Sequence, residues 1–390
     1  MPVINRIAAF HEDMISWRHD IHRNPETAFE EHRTADMVAR QLEGFGIEVH
    51  RGLAGTGVVG TLRVGKGGRA IALRADIDAL HIQEKNTMPH ASCVPGKMHA
   101  CGHDGHTAML LGAAKYLAET RRFDGTVHFV FQPAEENEGG GRVMVEQGLF
   151  DKFPCEAIFG MHNMPGMATG HFAIRPGPMM ASYDVFEIEI EGRGSHAAMP
   201  HQSVDPVVVA AQVVIGLQTI VSRNVRPIDA AVVSVTQVHG GDTWNVIPET
   251  VVLRGTTRSF RRDVRDMMER RIGEIAGGIA ASMGAKASVR YERRYPALVN
   301  DEESVRRAAA IATEVAGDPG RVETGVDPVM GSEDFAFMLE HKPGAYIMIG
   351  NGGGEGGRML HNARYDFNDA ILPIGASYWA RLVETTLAAS

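Results

Sequence analysis

Apolar residues fall in short runs separated by glycine and charge. Four runs, Gly57–Val64, Ala70–Asp76, 126–132 and 157–162, are rich in apolar or β-branched residues and predict strands. Helical patterns at 107–120 and 141–147 sit between the last three, and this alternation predicts a mostly parallel sheet flanked by helices. After Met180 the texture changes. Over Tyr183–Glu191, Phe186, Ile188 and Ile190 alternate with Val185, Glu187 and Glu189, the pattern of a sheet with one wet face. Asp205 followed by Pro206 is an N-cap and first-turn pair, opening a helix expected to run to about Arg223. Strands at 230–239 and Thr250–Ser259, a helix at 263–283 and a strand at 287–291 complete a β-α-β-β-α-β order, the ferredoxin-like plan. From Pro296 the pattern returns to helices, with a strand at 345–349 and a last helix from Ala370. The fold class expected is α/β, a domain of residues 1–180 and 296–390 interrupted by an inserted α+β domain at 181–295.

Composition agrees with this division. A chain of 390 residues exceeds one domain of roughly 150 residues, and 44% apolar with 22% charged residues is ordinary for a globular protein. Glycine supplies 44 residues, above the usual ~7%, as expected where many short strands and helices are joined by tight turns. With 39 basic and 48 acidic residues the formal charge is −9, and no block of five like charges occurs. No nucleic-acid or membrane-surface partner is therefore expected. Arg6, Glu12, Asp13, Arg18 and Asp20 interrupt the first twenty residues, and Asp205, Gln212 and Gln218 interrupt the apolar stretch 204–221. Neither reads as a signal peptide or a membrane span, and a cytoplasmic location is expected. Three cysteines, Cys93, Cys101 and Cys155, are too few for a disulfide framework.

The chemistry concentrates at strand ends. His99, Cys101, His103 and His106 lie within eight residues just before a helix, where Gly102 and Gly105 allow a tight fold, and such a loop can offer several transition-metal ligands. Surface loops also collect histidine by chance. Glu135 and Glu136 follow a buried-looking strand, where open α/β sheets bind ligands, although a solvated turn would look the same. Asp76, Asp78 and His162 stand at two further strand ends, and His361 in Leu360-His361-Asn362 could close the set.

The motifs HRNPE (22–26), RADIDAL (74–80), HACGHDGHTAMLLGAA (99–114), FQPAEE (131–136), GMHNMPG (160–166), GRGSHAAMPH (192–201), NVIP (245–248), GSEDF (331–335) and LHN (360–362) span nearly the whole chain. Through them the sequence resembles the metal-dependent amidohydrolases that include hippurate hydrolase, bacterial N-acyl-amino-acid amidohydrolases and plant indoleacetyl-amino-acid hydrolases. The resemblance implies two divalent ions held by Cys101, His103, Glu136, His162 and His361, with Cys101 bridging. It makes Glu135 the general acid and base, and the inserted domain a lid and dimerisation element. His196 would steady the oxyanion in a neighbouring subunit's site, so a homodimer or homotetramer is implied. Asn245 and Arg258 would hold the substrate carboxylate, although Arg258 could instead pair with an acid of the chain. His106 and Asp104 are expected to support ligands or cap the helix. Wider metallopeptidase relatives have histidine where Arg74 stands, and arginine cannot ligate a metal. Cysteine, histidine and glutamate suit Zn²⁺, Mn²⁺, Co²⁺ or Ni²⁺ alike. Hydrolysis of a small N-acyl amino acid is the expected reaction. Two other readings are a cysteine hydrolase, with Cys101 as nucleophile and His103 as base, and a metal-retaining binding protein without turnover. The glycine-rich run 351–357 lacks the Lys-Ser/Thr of a phosphate loop and reads as a mobile loop near the site.

Overall fold

The Ala70–Asp76 strand has no wet face: Ile71, Leu73 and Ala75 on one side and Ala72, Arg74 and Asp76 on the other are all buried. Such a strand needs neighbours on both edges and cover on both faces. In the computed structural model, which describes residues 3–136, 138–353 and 358–389, it pairs in parallel with Gly125–Gln132 and with Ala157–Pro165. Gly344–Gly352 adds a further parallel neighbour beyond Ala157–Pro165. On the other side Gly57–Val64 pairs antiparallel with Gly125–Gln132, and Glu48–Leu53 folds back on it. The Glu48–Leu53 strand escaped the sequence reading because only Leu53 of its six residues is buried, as befits an edge.

Two compact units divide the chain, one of Met1–Gly177, Val299–Asp327 and Asp334–Ser390, the other of Pro178–Leu298 with Pro328–Glu333. In the first, helix His103–Thr120 packs between the sheet and the helices His11–Arg23 and Leu372–Thr386. Leu110, Leu111, Leu117, Trp379 and Tyr378 belong to one continuous apolar core there.

That central helix begins four residues earlier than its pattern suggests. Gly102, at φ 92°, turns the chain in the left-handed region before His103. Gly105 reads as a helix breaker, but a Cβ there would lie 2.2 Å from the Phe367 ring, so glycine is what lets this turn dock. His103, Asp104 and His106 consequently stand on the first helical turn instead of a loop.

In the second unit, four antiparallel strands lie in the order Ala231–His239, Thr250–Ser259, Tyr183–Glu191, Lys286–Tyr295. Phe186, Ile188 and Ile190 are buried beneath the helices Pro206–Thr219 and Arg262–Ser282. Asp205 caps the first of these, accepting from Val207 N at 2.9 Å. By length and composition alone the helical run Pro206–Asn224 could cross a membrane, yet Val209, Ala210, Val213 and Leu217 are spent on this core.

The structure modifies the reading of 351–357. Asn351 is wholly buried in the Gly344–Gly352 strand, where its Oδ1 accepts from Asn368 N at 2.9 Å. Residues 354–357 lie outside the described residues.

Candidate metal centre

Parallel register brings the strand ends together: Asp76 stands beside Gln132 and Arg74 beside Gly160. The carboxyl ends of three strands therefore present Asp76 and Asp78, Glu135 and Glu136, and His162 on one rim, the position where open α/β sheets place ligands. The start of His103–Thr120 adds His103, and the residue before its Gly102 cap adds Cys101. His361 arrives from late in the chain, docked by its backbone N–H on Ala100 O at 2.8 Å and held at φ 63°. A non-glycine residue in that region is strained and persists only where its surroundings fix it.

The potential donors converge. Cys101 Sγ lies 3.4 Å from His162 Nε2, and His361 Nε2 lies 3.1 Å from Glu136 Oε1. The ligand atoms of Cys101, His103 and His162, of Cys101, Glu136 and His361, and of His103, Glu135 and Glu136 each fall within 4.8 Å of one another. His103 Nδ1 is engaged by Asp78, at 2.9 Å from its carbonyl and 3.0 Å from Oδ1, while the buried Nε2 has no hydrogen-bond partner. The other oxygen of Asp78 accepts from Glu136 N at 2.9 Å. One carboxylate thus orients two of the donors, as residues behind metal ligands commonly do. His162 Nδ1 faces Asn163 O at 2.6 Å, which leaves Nε2 toward the thiol.

Charge is the strongest argument that the cluster fits a cation. Burial and the carboxylates of Glu136 and Glu135 hold the Cys101 thiol well above its ordinary pKa. Burial opposes protonation of His103, but Asp76, Asp78 and Glu136 outweigh it and raise the group to about 10. Burial and the neighbouring His106 hold His162 well below the usual histidine range, in the neutral form that ligates. Several acids, a thiol and an orphaned imidazole nitrogen in one buried place fit divalent cations, which favour the deprotonated forms.

Behind the donors Asp76 is the hub. Burial works against its charge, yet His103, His106 and Arg74 hold its carboxyl well below the usual range. His106 Nδ1 meets Asp76 at 2.6 Å and its Nε2 accepts from Asn163 N at 3.0 Å, so both ring nitrogens are committed and His106 supports the site without ligating. Arg74 binds Asp76 at 2.7 Å, Gln132 at 2.8 Å and Asp334 at 3.1 Å. Asn163 Nδ2 donates to Cys101 O at 2.7 Å and Tyr365 Oη donates to Asn163 Oδ1 at 2.7 Å, fixing the thiol's backbone. Asn163 lay inside a motif but drew attention only through its neighbour His162. Asp334 and Gln132 likewise lay inside motifs without being singled out, and Tyr365 carried no signal in the sequence.

Asp104 pairs with the buried His22, Oδ2 to Nδ1 at 2.8 Å, and Glu84 stands 3.3 Å from the other ring nitrogen. Burial opposes the cation, but these two acids raise His22 to about 9. The folded value lies above the unfolded one near 6.5. The resulting stabilisation, on the order of 3 kcal/mol, is complete below pH 6.5 and is lost as pH rises through 9. Urea unfolding of wild type and His22→Gln is expected to show a stability gap that shrinks between pH 6 and pH 9.5. A gap independent of pH would count against a charged His22.

The second unit carries the remaining predicted residues. His196 lies in Ser195–His196, which pairs with Val246–Ile247, and Ala197 N donates to Asn245 O at 2.9 Å. His196 and Asn245 therefore share one exposed clip. Arg258 stands on the Thr250–Ser259 strand, with Nη1 3.1 Å from Ser332 Oγ and its guanidinium 4.3 Å from the Tyr183 ring centroid. Burial lowers its pKa, and among the described residues no acid forms an ion pair with it.

Known proteins are similar to this chain along nearly its whole length. Hippurate hydrolase of Campylobacter jejuni is 42% identical, with 94% of each chain covered. N-acetylcysteine deacetylase of Bacillus subtilis is 40% identical, covering 97% of this chain and 98% of its own. Among solved structures, a putative aminohydrolase from methicillin-resistant Staphylococcus aureus superposes with a TM-score of 0.92 at 33% identity, 99% of each chain being covered. The Bacillus subtilis YXEP protein, described as a dinuclear metal-binding peptidase, gives 0.84 at 37% identity, covering 97% of this chain and 99% of that one. The model of peptidase family M20/M25/M40 matches residues 72–385. With donors, strand ends and relatives in agreement over this length, the chain belongs to peptidase family M20/M25/M40.

Proposed function

We propose that this protein is a metal-dependent amidohydrolase that cleaves the amide bond of N-acyl amino acids, giving a carboxylic acid and a free amino acid. The observation that carries the reading is the convergence of Cys101, His103, Glu136, His162 and His361 beside Glu135, with His103 Nε2 buried and making no hydrogen bond among the described residues. Those five residues would hold two divalent ions, and Zn²⁺, Mn²⁺, Co²⁺ and Ni²⁺ all suit the set. Such ions supply Lewis acidity, polarising the amide carbonyl and making water a better nucleophile at neutral pH. Glu135, 7% exposed and adjacent to the ligand Glu136, takes the proton of the attacking water and returns it to the leaving nitrogen. Arg258, half-buried and without an ion pair among the described residues, and Asn245 receive the substrate carboxylate through charge-assisted hydrogen bonds. His196 steadies the developing oxyanion.

The inserted unit acts as lid and dimerisation element. Among the described residues the Ala231–His239 strand pairs on one side alone, and its Val238 is 62% exposed. The adjacent helix exposes Val207, Val208 and Ile215. An open edge beside an apolar helix face favours pairing with a second copy, which would bring His196 to a neighbouring site. The buried, unpaired thiols of Cys101 and Cys155 suit a reducing cytoplasm.

A cysteine nucleophile fits less well. Burial and two carboxylates keep the Cys101 thiol protonated, and Asp78 already engages the ring of His103. The deciding experiment is turnover by metal-loaded protein on N-acetyl, N-benzoyl and other N-acyl amino acids, alongside the same compounds with the carboxyl amidated. Hydrolysis of the free acids, with much weaker action on the amidated forms, is expected. No turnover on any member would overturn the proposal.

A further inference from the structure

Five described residues other than glycine have a left-handed backbone: Phe29, Ala54, Arg121, Ala134 and His361. Three of them gather around one buried carboxylate that the reaction does not use. Glu31 Oε1 accepts from Phe29 N at 3.1 Å and from Ala134 N at 3.0 Å. Glu31 Oε2 accepts from Thr56 Oγ1 at 2.6 Å, and Thr56 N in turn donates to Ala54 O at 3.0 Å. Glu31 itself is fully buried. Strained backbone persists where neighbours over-determine it, and here one side chain connects three such places.

Ala134, at φ 53°, is the residue immediately before Glu135 and Glu136. Its conformation sets the direction in which both carboxylates leave the Gly125–Gln132 strand. The turn is closed from its far side as well, since Gly140 N donates to Ala134 O at 2.9 Å. We infer that Glu31 is a positioning residue: by accepting the Ala134 N–H it locks the left-handed turn that aims Glu135 at the reacting water and Glu136 at the metal. The inference rests on the metal-dependent amidohydrolase reading and extends it to a side chain outside the site.

Burial pushes the Glu31 carboxyl up to about 7, against the hydrogen bond from Thr56 and with Asp78 nearby adding to the rise. Charged or protonated, it keeps an acceptor oxygen for Ala134 N. The lock therefore requires an oxygen at that point and no particular charge, which separates it from a simple electrostatic role.

The test compares wild type, Glu31→Ala, Glu31→Asp and Glu31→Gln by three readouts. These are kcat and KM on the best N-acyl substrate, Zn²⁺ and Mn²⁺ affinity by calorimetry, and hydrogen exchange at the Ala134 amide in metal-free protein. Glu31→Ala is expected to lose about 10- to 100-fold in kcat, the scale of a small misplacement of reacting groups, with KM within about threefold. Its metal affinity should fall about tenfold or more, as when a group behind a ligand is lost, and exchange at Ala134 should rise at least about tenfold. Glu31→Asp retracts the acceptor by one methylene and should behave like Glu31→Ala, which serves if the alanine variant does not fold. Glu31→Gln should stay within about threefold of wild type in all three. The inference is overturned if Glu31→Ala keeps wild-type kcat and exchange, if only KM changes, or if Glu31→Gln is as impaired as Glu31→Ala. Should wild type hydrolyse no N-acyl amino acid, the functional proposal fails, while metal affinity and Ala134 exchange still decide the role of Glu31.

Discussion

Glu135→Gln protein is expected to bind divalent metal as wild type does, yet to hydrolyse N-acyl amino acids about 10²- to 10⁴-fold more slowly, the usual contribution of a positioned general acid–base. The substitution preserves shape and burial while removing the ability to take a proton. The ligands proposed for metal are Cys101, His103, Glu136, His162 and His361, so metal content, read by elemental analysis, should not move. Loss of metal would reassign Glu135 as a ligand. The same variant tests the shared site. His196→Ala is expected to be nearly inactive with full metal content, and mixing it with Glu135→Gln should restore part of the activity by pairing an intact His196 with an intact Glu135. A mixture as inactive as its parents would remove the shared-site proposal.

Gly102→Ala should be more damaging, because it fails on two physical grounds at once. At φ 92° an L side chain is strained, a cost of order 1–3 kcal/mol. The added Cβ would lie 2.3 Å from Asn163 Nδ2 and 2.5 Å from Tyr365 Oη. Both belong to the chain of hydrogen bonds that holds the Cys101 carbonyl, so relief of the clash must shift the thiolate and break those bonds. We expect a loss of roughly 3 kcal/mol or more in stability by chemical denaturation, together with metal affinity reduced at least about tenfold. Wild-type metal affinity in a folded Gly102→Ala protein would show that the turn does not place Cys101.

Much of the fold was legible because its central strands are apolar on both faces and its helices are punctuated by glycine and capped by residues such as Asp205. The four-stranded unit was legible for a different reason: the buried Phe186, Ile188 and Ile190 alternate strictly with half-buried or exposed partners. Glu48–Leu53 was not, since an edge strand with one buried residue has no pattern to read. The donor residues announced themselves by type and clustering. Of their supports, Asp76, Asp78 and His106 stood out as well, and the others did not. Glu31, Asp334 and Tyr365 become meaningful only when distant segments meet, as when Tyr365 reaches Asn163 across 202 positions. The start of the central helix was misplaced because Gly105 signals a break in sequence, whereas in the fold the Phe367 ring occupies the space its side chain would need.

The place of His361 in chain order bears on how the enzyme is made. Cys101, His103, Glu136 and His162 all leave the ribosome before it, the last of them by about 200 residues. At roughly 5–20 residues per second, that is about 10 to 40 s of synthesis during which the nascent polypeptide carries only four of the five proposed ligands. With the proposed ligands, full loading with metal therefore waits for the segment that carries His361, and folding of the amino-terminal half alone does not complete the site.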